Sequence, residues 1–157
     1  MALSVAAQRR DYPLPVYNFR VNIGGDQDLG VSEVAGLARE HQTLTYRQGF
    51  SAWEGEGIVK FRIDRHAPVT LKKALVPGKT ARWLYAWLDS STAHPVTISL
   101  CDLAGGAANA RPEARITWHL RQALLVRIEA PPLQAQANEV AIETLTLMAS
   151  GFRIEHH

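Results

Sequence analysis

Few residues of this chain stand in patterns that chemistry requires. Pro77-Gly78-Lys79-Thr80 ends like a phosphate-binding loop, in which backbone amides wrap the phosphates and a lysine meets their charge. The full loop needs a glycine five positions before Gly78, and Lys73 stands there instead. The segment therefore reads as a turn followed by a helix start. Six histidines, His41, His66, His94, His119, His156 and His157, include no HExxH pair and no spacing that puts two ligands on one helical face. His119 alternates with arginines, whose charge opposes a bound cation. Glu155-His156-His157 could grip a metal loosely, although a chain end is ordinarily solvated. Cys101 is the sole cysteine, which excludes an internal disulfide, paired-cysteine zinc sites, haem attachment and iron–sulfur ligation. Asp102 beside it disfavours a thiolate. No serine has the GxSxG setting and no two carboxylates form an obvious acid–base pair. The expectation is a non-enzyme with no catalytic residue, no metal and no cofactor.

The elements that would have to position any site are mostly strands. The 157 residues are 46% hydrophobic and 20% charged, ordinary for a folded domain. A chain of this length buries about 70% of its unfolded surface and needs no staple. We expect one domain over 1–157, with 1–11 a flexible N-terminus, 48–66 a long loop or hairpin and 79–89 a helix. Lys plus Arg number 17 against 15 Asp plus Glu, a net charge of +2, too near neutral for a dedicated nucleic-acid binder. The short apolar run Leu3 to Ala7 precedes the arginines, the reverse of a secretory signal. No stretch reaches the roughly 18 apolar residues of a membrane span. The expectation is a chain made in the cytoplasm without a signal peptide, with no membrane and no specific nucleic acid as partner.

Period-two alternation dominates, the mark of strands with one dry face. In VYNFRVNI, Tyr17, Phe19, Val21 and Ile23 alternate with polar residues after an extended entry at Pro13 and Pro15; Gly24-Gly25-Asp26 turns the chain. TLTYR sets Leu44 and Tyr46 against Thr43, Thr45 and Arg47. IVKFRID sets Val59, Phe61 and Ile63 against Lys60, Arg62 and Asp64, and VTLKKAL sets Val69 and Leu71 against Thr70 and Lys72. VTISL follows. In ARITWHLRQALLVRI, Ile116, Trp118, Leu120, Leu124, Val126 and Ile128 share one parity, and Arg115, Thr117, His119 and Arg121 the other. VAIETLTLM carries Val140 and Ile142 in even register but Leu145 and Leu147 in odd register, which predicts a bulge near Glu143 and Thr144. One segment, KTARWLYAWLDSS, reads as a helix, with Ala81, Leu84, Leu88, Trp83 and Trp87 on one broad apolar face and Thr80 as the expected N-cap. Its aromatic stripe suits packing against a sheet better than a ligand platform. The expected fold is mainly β: two packed antiparallel sheets, a sandwich or open barrel, with one flanking helix.

The polar faces stand out more than any reactive residue. Thr43, Thr45, Arg47, Lys60, Arg62, Thr70, Lys72, Arg115, Thr117, His119 and Arg121 form threonine and cation rows on sheet surfaces. Such rows are usually solvated, but they would also line a water-filled channel if several copies joined their sheets.

Whole segments then become recognisable. YPLPVYNFRVNIG, SEVAGL followed by TLTYRQG, VTLKKALVPGK leading into WLYAWL, ITWHLRQA and NEVAIETLTLM resemble, in order, the tail-tube proteins of contractile phages, and most closely the inner-tube proteins of phage-tail-like contractile injection systems. The resemblance covers nearly all of Tyr12 to Met148. It implies homohexameric rings whose joined sheets form a continuous β-barrel, stacked into a hollow tube that sheath contraction drives through a target envelope. Implied partners are further copies of the chain, sheath, baseplate and spike proteins, and a cargo effector in the lumen, in a particle found outside the cell after release. By that resemblance the threonines, cations and histidine of those rows are lumen candidates. Phe50, Trp53, Glu54, Glu56, Asn138 and Glu139 are candidates for ring-to-ring or subunit contacts. After YRQG many relatives carry a Lys-Pro-Gly element where this chain has FSAWEGEGIVKFRIDRHAP, which leaves a tube-initiator ring at the baseplate as an alternative. From another class, a monomeric β-sandwich binding a small ligand through the Trp53 loop is the rival.

Overall fold

The computed structural model describes residues 13–46, 57–64, 66, 68–102 and 112–157, with the backbone alone at 62–64. Among the described residues, nine strands and one helix run in the order β1 (Phe19–Ile23), β2 (Gln27–Leu29), β3 (Glu33–Ala35), β4 (His41–Tyr46), β5 (Gly57–Asp64), β6 (Pro68–Ala74), α1 (Lys79–Asp89), β7 (His94–Cys101), β8 (Ala114–Glu129) and β9 (Ile142–His156). Seven strands form one antiparallel sheet in the order β2-β1-β7-β8-β9-β6-β3, and β4 and β5 pair as a separate two-stranded ribbon. The mainly β fold with one helix is as the alternation predicts.

The long strands β8 and β9 each serve two halves of the sheet. Ala114–Ala123 of β8 pairs with β7, while β9 pairs with β6 only from Ile142 to Met148. Between the halves lies a corner. From Val96↔Leu120 to His94↔Ala123, β8 advances one residue more than β7, a bulge at Arg121–Gln122. Opposite it, Gly151 adopts φ +71°, and a Cβ there would lie 3.0 Å from the Cβ and Cδ of Arg121. Strands that bend this way let one sheet fold over its own core. That core is a single cluster in which Val21, Ile23, Val96, Ile98 and Leu120 of the first half meet Val69, Leu71, Leu145, Leu147 and Leu125 of the second.

The corner overturns one expectation of register. The buried parity of β8 is even at Leu120 but odd at Ala123 and Leu125, so Leu124 and Val126 are exposed rather than core. A second irregularity, between Leu125 and Arg127, leaves Val126 as an extra residue. The bulge expected at Glu143–Thr144 is absent: β9 pairs regularly with β6 through this stretch, Val140 precedes the strand, and both Val140 and Ile142 are exposed. Odd register instead buries Glu143 opposite Lys73 on β6, with Nζ of the lysine donating to the carboxylate at 2.8 Å and to the Ala74 carbonyl at 3.1 Å.

α1 buries Leu84 and Trp87 against the core, and the Trp87 indole N–H donates to the Thr92 carbonyl at 2.9 Å. Trp83, Trp87 and His94 pack ring on ring with centroids 5.3–5.7 Å apart, so the aromatic stripe is used in packing. The N-cap is Gly78 rather than Thr80, without a side-chain hydrogen bond, because helical geometry already begins at Lys79. Tyr17, expected on the dry face of the first strand, lies before that strand begins and is exposed.

Candidate functional site

The β4–β5 ribbon has two unlike faces. Register pairs Leu44 with Val59 and Tyr46 with Gly57 on one face, with Phe61 next along it; Thr43 with Lys60 and Thr45 with Ile58 lie on the other. Leu44 is 55% exposed, Tyr46 45%, Val59 40% and Phe61 42%. Alternation thus made a dry face that nothing among the described residues covers. Tyr46 lies across Gly57, where a Cβ would come within 2.8 Å of its ring. A two-stranded ribbon with a bare apolar face is barely stable alone.

The ribbon continues the second half of the sheet. β3 leads into β4, and β5 leads into β6 through His66, whose Nδ1 lies 3.1 Å from the Ala149 carbonyl of β9. Odd residues are apolar on both sides of that passage, Val59 and Phe61 before it and Val69 and Leu71 after it. On the outer face of the second half, two polar rows cross four strands: Glu33, Lys72, Thr144 and Glu129, then Ala35, Thr70, Thr146 and Arg127. Lys72 and Glu33 pair at 2.9 Å, as do Arg127 and Glu129.

The first half carries a second polar face, on the far side of the shared core. Its rows are Arg20, Ser99, Thr117 and Glu155, then Asn22, Thr97, His119 and Arg153. Arg115 donates through Nε and NH2 to the Asp102 carboxylate at 3.1 and 2.8 Å. Nε2 of His119 lies 2.8 Å from the Glu155 carboxylate. That hydrogen bond, followed by the charge of Arg153, holds the Glu155 carboxyl below its ordinary range. The Thr117 hydroxyl contacts Ser99 and His157, and the His157 amide donates to the Arg115 carbonyl at 2.9 Å. The last residues are therefore a strand and its tether, against the expectation of a solvated end.

The lumen candidates do not share one surface. Thr43, Thr45 and Lys60 lie on the polar face of the ribbon, and Thr70 and Lys72 on the outer face of the half it continues. Arg115, Thr117 and His119 belong to the opposite face, where Thr117 is buried. Arg121 sits at the corner. Arg47, Phe50, Trp53, Glu54 and Glu56, and the side chain of Arg62, lie outside the described residues. Asn138 and Glu139 are exposed in the connection between β8 and β9, at the end of the second half away from the ribbon. Thr144, Thr146, Arg127, Glu129 and Glu33 complete the polar rows and were missed by sequence reasoning, although alternation around Leu145 and Leu147 already sets the two threonines on the outer face.

Among the described residues no group of three or more His, Cys, Asp or Glu side chains could hold a metal ion, and no helix is long and apolar enough to cross a membrane. An open groove of about 450 Å³ lies between the halves, lined by Val16, Tyr17, Phe19, Leu37, Trp118 and their neighbours. It offers little beyond Ser32 and Glu33 to orient a polar ligand. Cys101 is buried, and Arg115 occupies the carboxylate of Asp102 beside it.

Comparison with known proteins places this architecture. No curated protein sequence matches the chain. Among solved structures, the chain is similar to one from the PVC sheath–tube complex of an extracellular contractile injection system in its extended state, with 28% identity, a TM-score of 0.81 and coverage of 99% of this chain and 100% of that one. It is also similar to a chain of the anti-feeding prophage tube-terminating cap, with 26% identity, a TM-score of 0.79 and coverage of 100% and 97%. An Hcp protein shares the fold at 14% identity and a TM-score of 0.53, over 88% of this chain and 99% of that one. The model of the T4-like virus tail tube protein gp19 matches residues 15–153, and the chain belongs to that family of structural, non-enzymatic tail-tube proteins.

Proposed function

We propose that this chain is the tube subunit of a contractile injection particle. Homohexameric rings stack into a hollow tube inside a sheath, seated on a baseplate and tipped by a spike. The single observation that carries the reading beyond family membership is the β4–β5 ribbon, whose face of Leu44, Tyr46, Val59 and Phe61 is exposed, with no cover among the described residues. An apolar face of this kind calls for a second copy. Buried against a neighbour, it turns Thr43, Thr45 and Lys60 the other way, in line with Thr70, Lys72, Thr144 and Thr146, so that these residues form the water-filled wall past which cargo travels. Arg115 and His119 then face outward. Asn138 and Glu139 meet the adjoining ring, from the end opposite the ribbon.

Contraction supplies the work, and the subunit supplies stiffness and a hydrated bore, with no bond made or broken. The protein is made in the bacterial cytoplasm and leaves as part of the particle.

Negative-stain electron microscopy with light-scattering mass on the same sample tests this. Six-fold rings or stacked tubes are expected. A strictly monomeric particle at high concentration, with sheath and spike partners added, overturns the proposal and favours the monomeric ligand-binding sandwich. The second reading, an initiator ring at the baseplate, draws on the altered segment after Tyr46; it predicts single rings that seed tubes of another subunit but never lengthen by themselves.

A further inference from the structure

Lys60 stands apart from the other charges of the face that the ribbon prolongs. On the outer face of the second half, Lys72 pairs with Glu33 and Arg127 with Glu129, each at 2.9 Å. Two cations and two carboxylates thus cancel, with the hydroxyls of Thr70, Thr144 and Thr146 between them. The next row towards the ribbon, Pro68, Met148 and Leu124, is uncharged. Lys60 then stands on the polar face of the ribbon, exposed and opposite Thr43. It has no ion pair or hydrogen bond among the described residues. Ile58, two residues away on the same face, is 71% exposed.

We infer that Lys60 is where the bore holds its cargo, and that the segment it fits is an acidic stretch of polypeptide. This rests on the tube reading and names the chemistry of the partner. A paired charge offers a passing ion little, since attraction to one member is offset by repulsion from the other. An unpaired lysine on a hydrated wall keeps its field, and a narrow channel lined by repeated copies of it focuses that field on an anion. Each such contact is weak by itself at an exposed position. A ring repeats it around the bore and stacked rings repeat it along the bore, so one carboxylate-rich segment meets several lysines at once.

The surroundings of the lysine favour polypeptide over nucleic acid, the other long polyanion. Ile58 and the row of Pro68, Met148 and Leu124 offer contact to apolar side chains, with methionine the most adaptable of them. A phosphate backbone has nothing apolar to place there. A duplex carries one charge for about every 1.7 Å of its length. The described wall answers with one unpaired lysine per copy and sets the carboxylates of Glu33 and Glu129 on the same face.

Fluorescence polarisation on assembled rings or tubes tests this. The probes are labelled decapeptides of alternating glutamate and alanine or of alternating lysine and alanine, and a thymidine oligomer of the same length. The glutamate peptide should bind the parent more tightly than either other probe, and about 1 M salt, which screens charges beyond about 3 Å, should release it. Lys60→Gln should weaken that binding by about tenfold or more. Lys60→Arg should keep it, and Lys60→Glu should shift the preference to the lysine peptide. Arg20→Gln, which removes the same charge from the opposite polar face, should bind as the parent does. Equal binding of the glutamate peptide by parent and Lys60→Gln rings overturns the assignment of Lys60 and leaves the tube reading standing. Tighter binding of the thymidine oligomer overturns the choice of polypeptide. If Lys60→Gln does not assemble, the parent decides, because a preference for the lysine peptide, or glutamate-peptide binding that survives salt, contradicts a lysine contact. If electron microscopy of the parent finds no rings, the tube reading fails and this inference falls with it.

Discussion

Glu143→Leu should destabilise this protein more than almost any other single change to a polar residue. The side chains of Lys73 and Glu143 are 7% and 4% exposed and meet at 2.8 Å, among Leu71, Leu145 and Leu147, each fully buried. Removing one partner of such a pair leaves a charge buried without compensation, at a cost of about 3–5 kcal/mol. With a urea m-value of about 2 kcal/mol/M, the unfolding midpoint should fall by roughly 2 M. Lys73→Met should do comparable damage. The double variant should return close to the parent, since apolar residues of similar volume often replace a buried ion pair at no loss. Urea titration followed by tryptophan fluorescence, at one fixed protein concentration because assembly adds to apparent stability, measures all four proteins. The reasoning is refuted if Glu143→Leu unfolds within about 0.5 M of the parent, or if the double variant is no better than the worse single one.

Gly151→Val puts a β-branched residue at φ +71° and against Arg121; a backbone cost of about 1–2 kcal/mol should lower Tm by roughly 3–8 °C. Gly30→Val, at an open position without positive φ, is the control and should leave Tm unchanged in the same calorimetric scan. Glu155 has its folded pKa below its ordinary 4.5, so the stability it contributes is present above that value and is lost as pH falls through the lower folded value. The Tm difference between the parent and Glu155→Gln should therefore be present at pH 7 and shrink towards zero as the solution is acidified below 4.5; a difference that grows in acid would contradict the pairing with His119.

Much of the fold was legible in the residues because both regular periods are local. Alternation in IVKFRID, VTLKKAL and VTISL marks β5, β6 and β7, and the stripe of Leu84, Leu88, Trp83 and Trp87 marks α1. The three-residue strands β2 and β3 carry too few alternations to register. The second part of β9 was concealed by Ala149-Ser150-Gly151, which reads locally as a break and in the structure is the corner that lets the strand continue.

The tertiary structure alone decided which alternating faces are satisfied. Val59, Phe61, Val69 and Leu71 follow one pattern in the sequence, yet the last two are buried and the first two bare, because only β6 has a core to meet. It also decided the fate of the odd charges: nothing near Lys73 in sequence identifies Glu143, 70 residues on, as its partner. Likewise the threonine and cation rows were visible as rows, but their division between two opposite surfaces follows from a bend at Arg121 and Gly151. Local pattern sets which side of a strand is dry, and only long-range pairing determines what, if anything, lies against it.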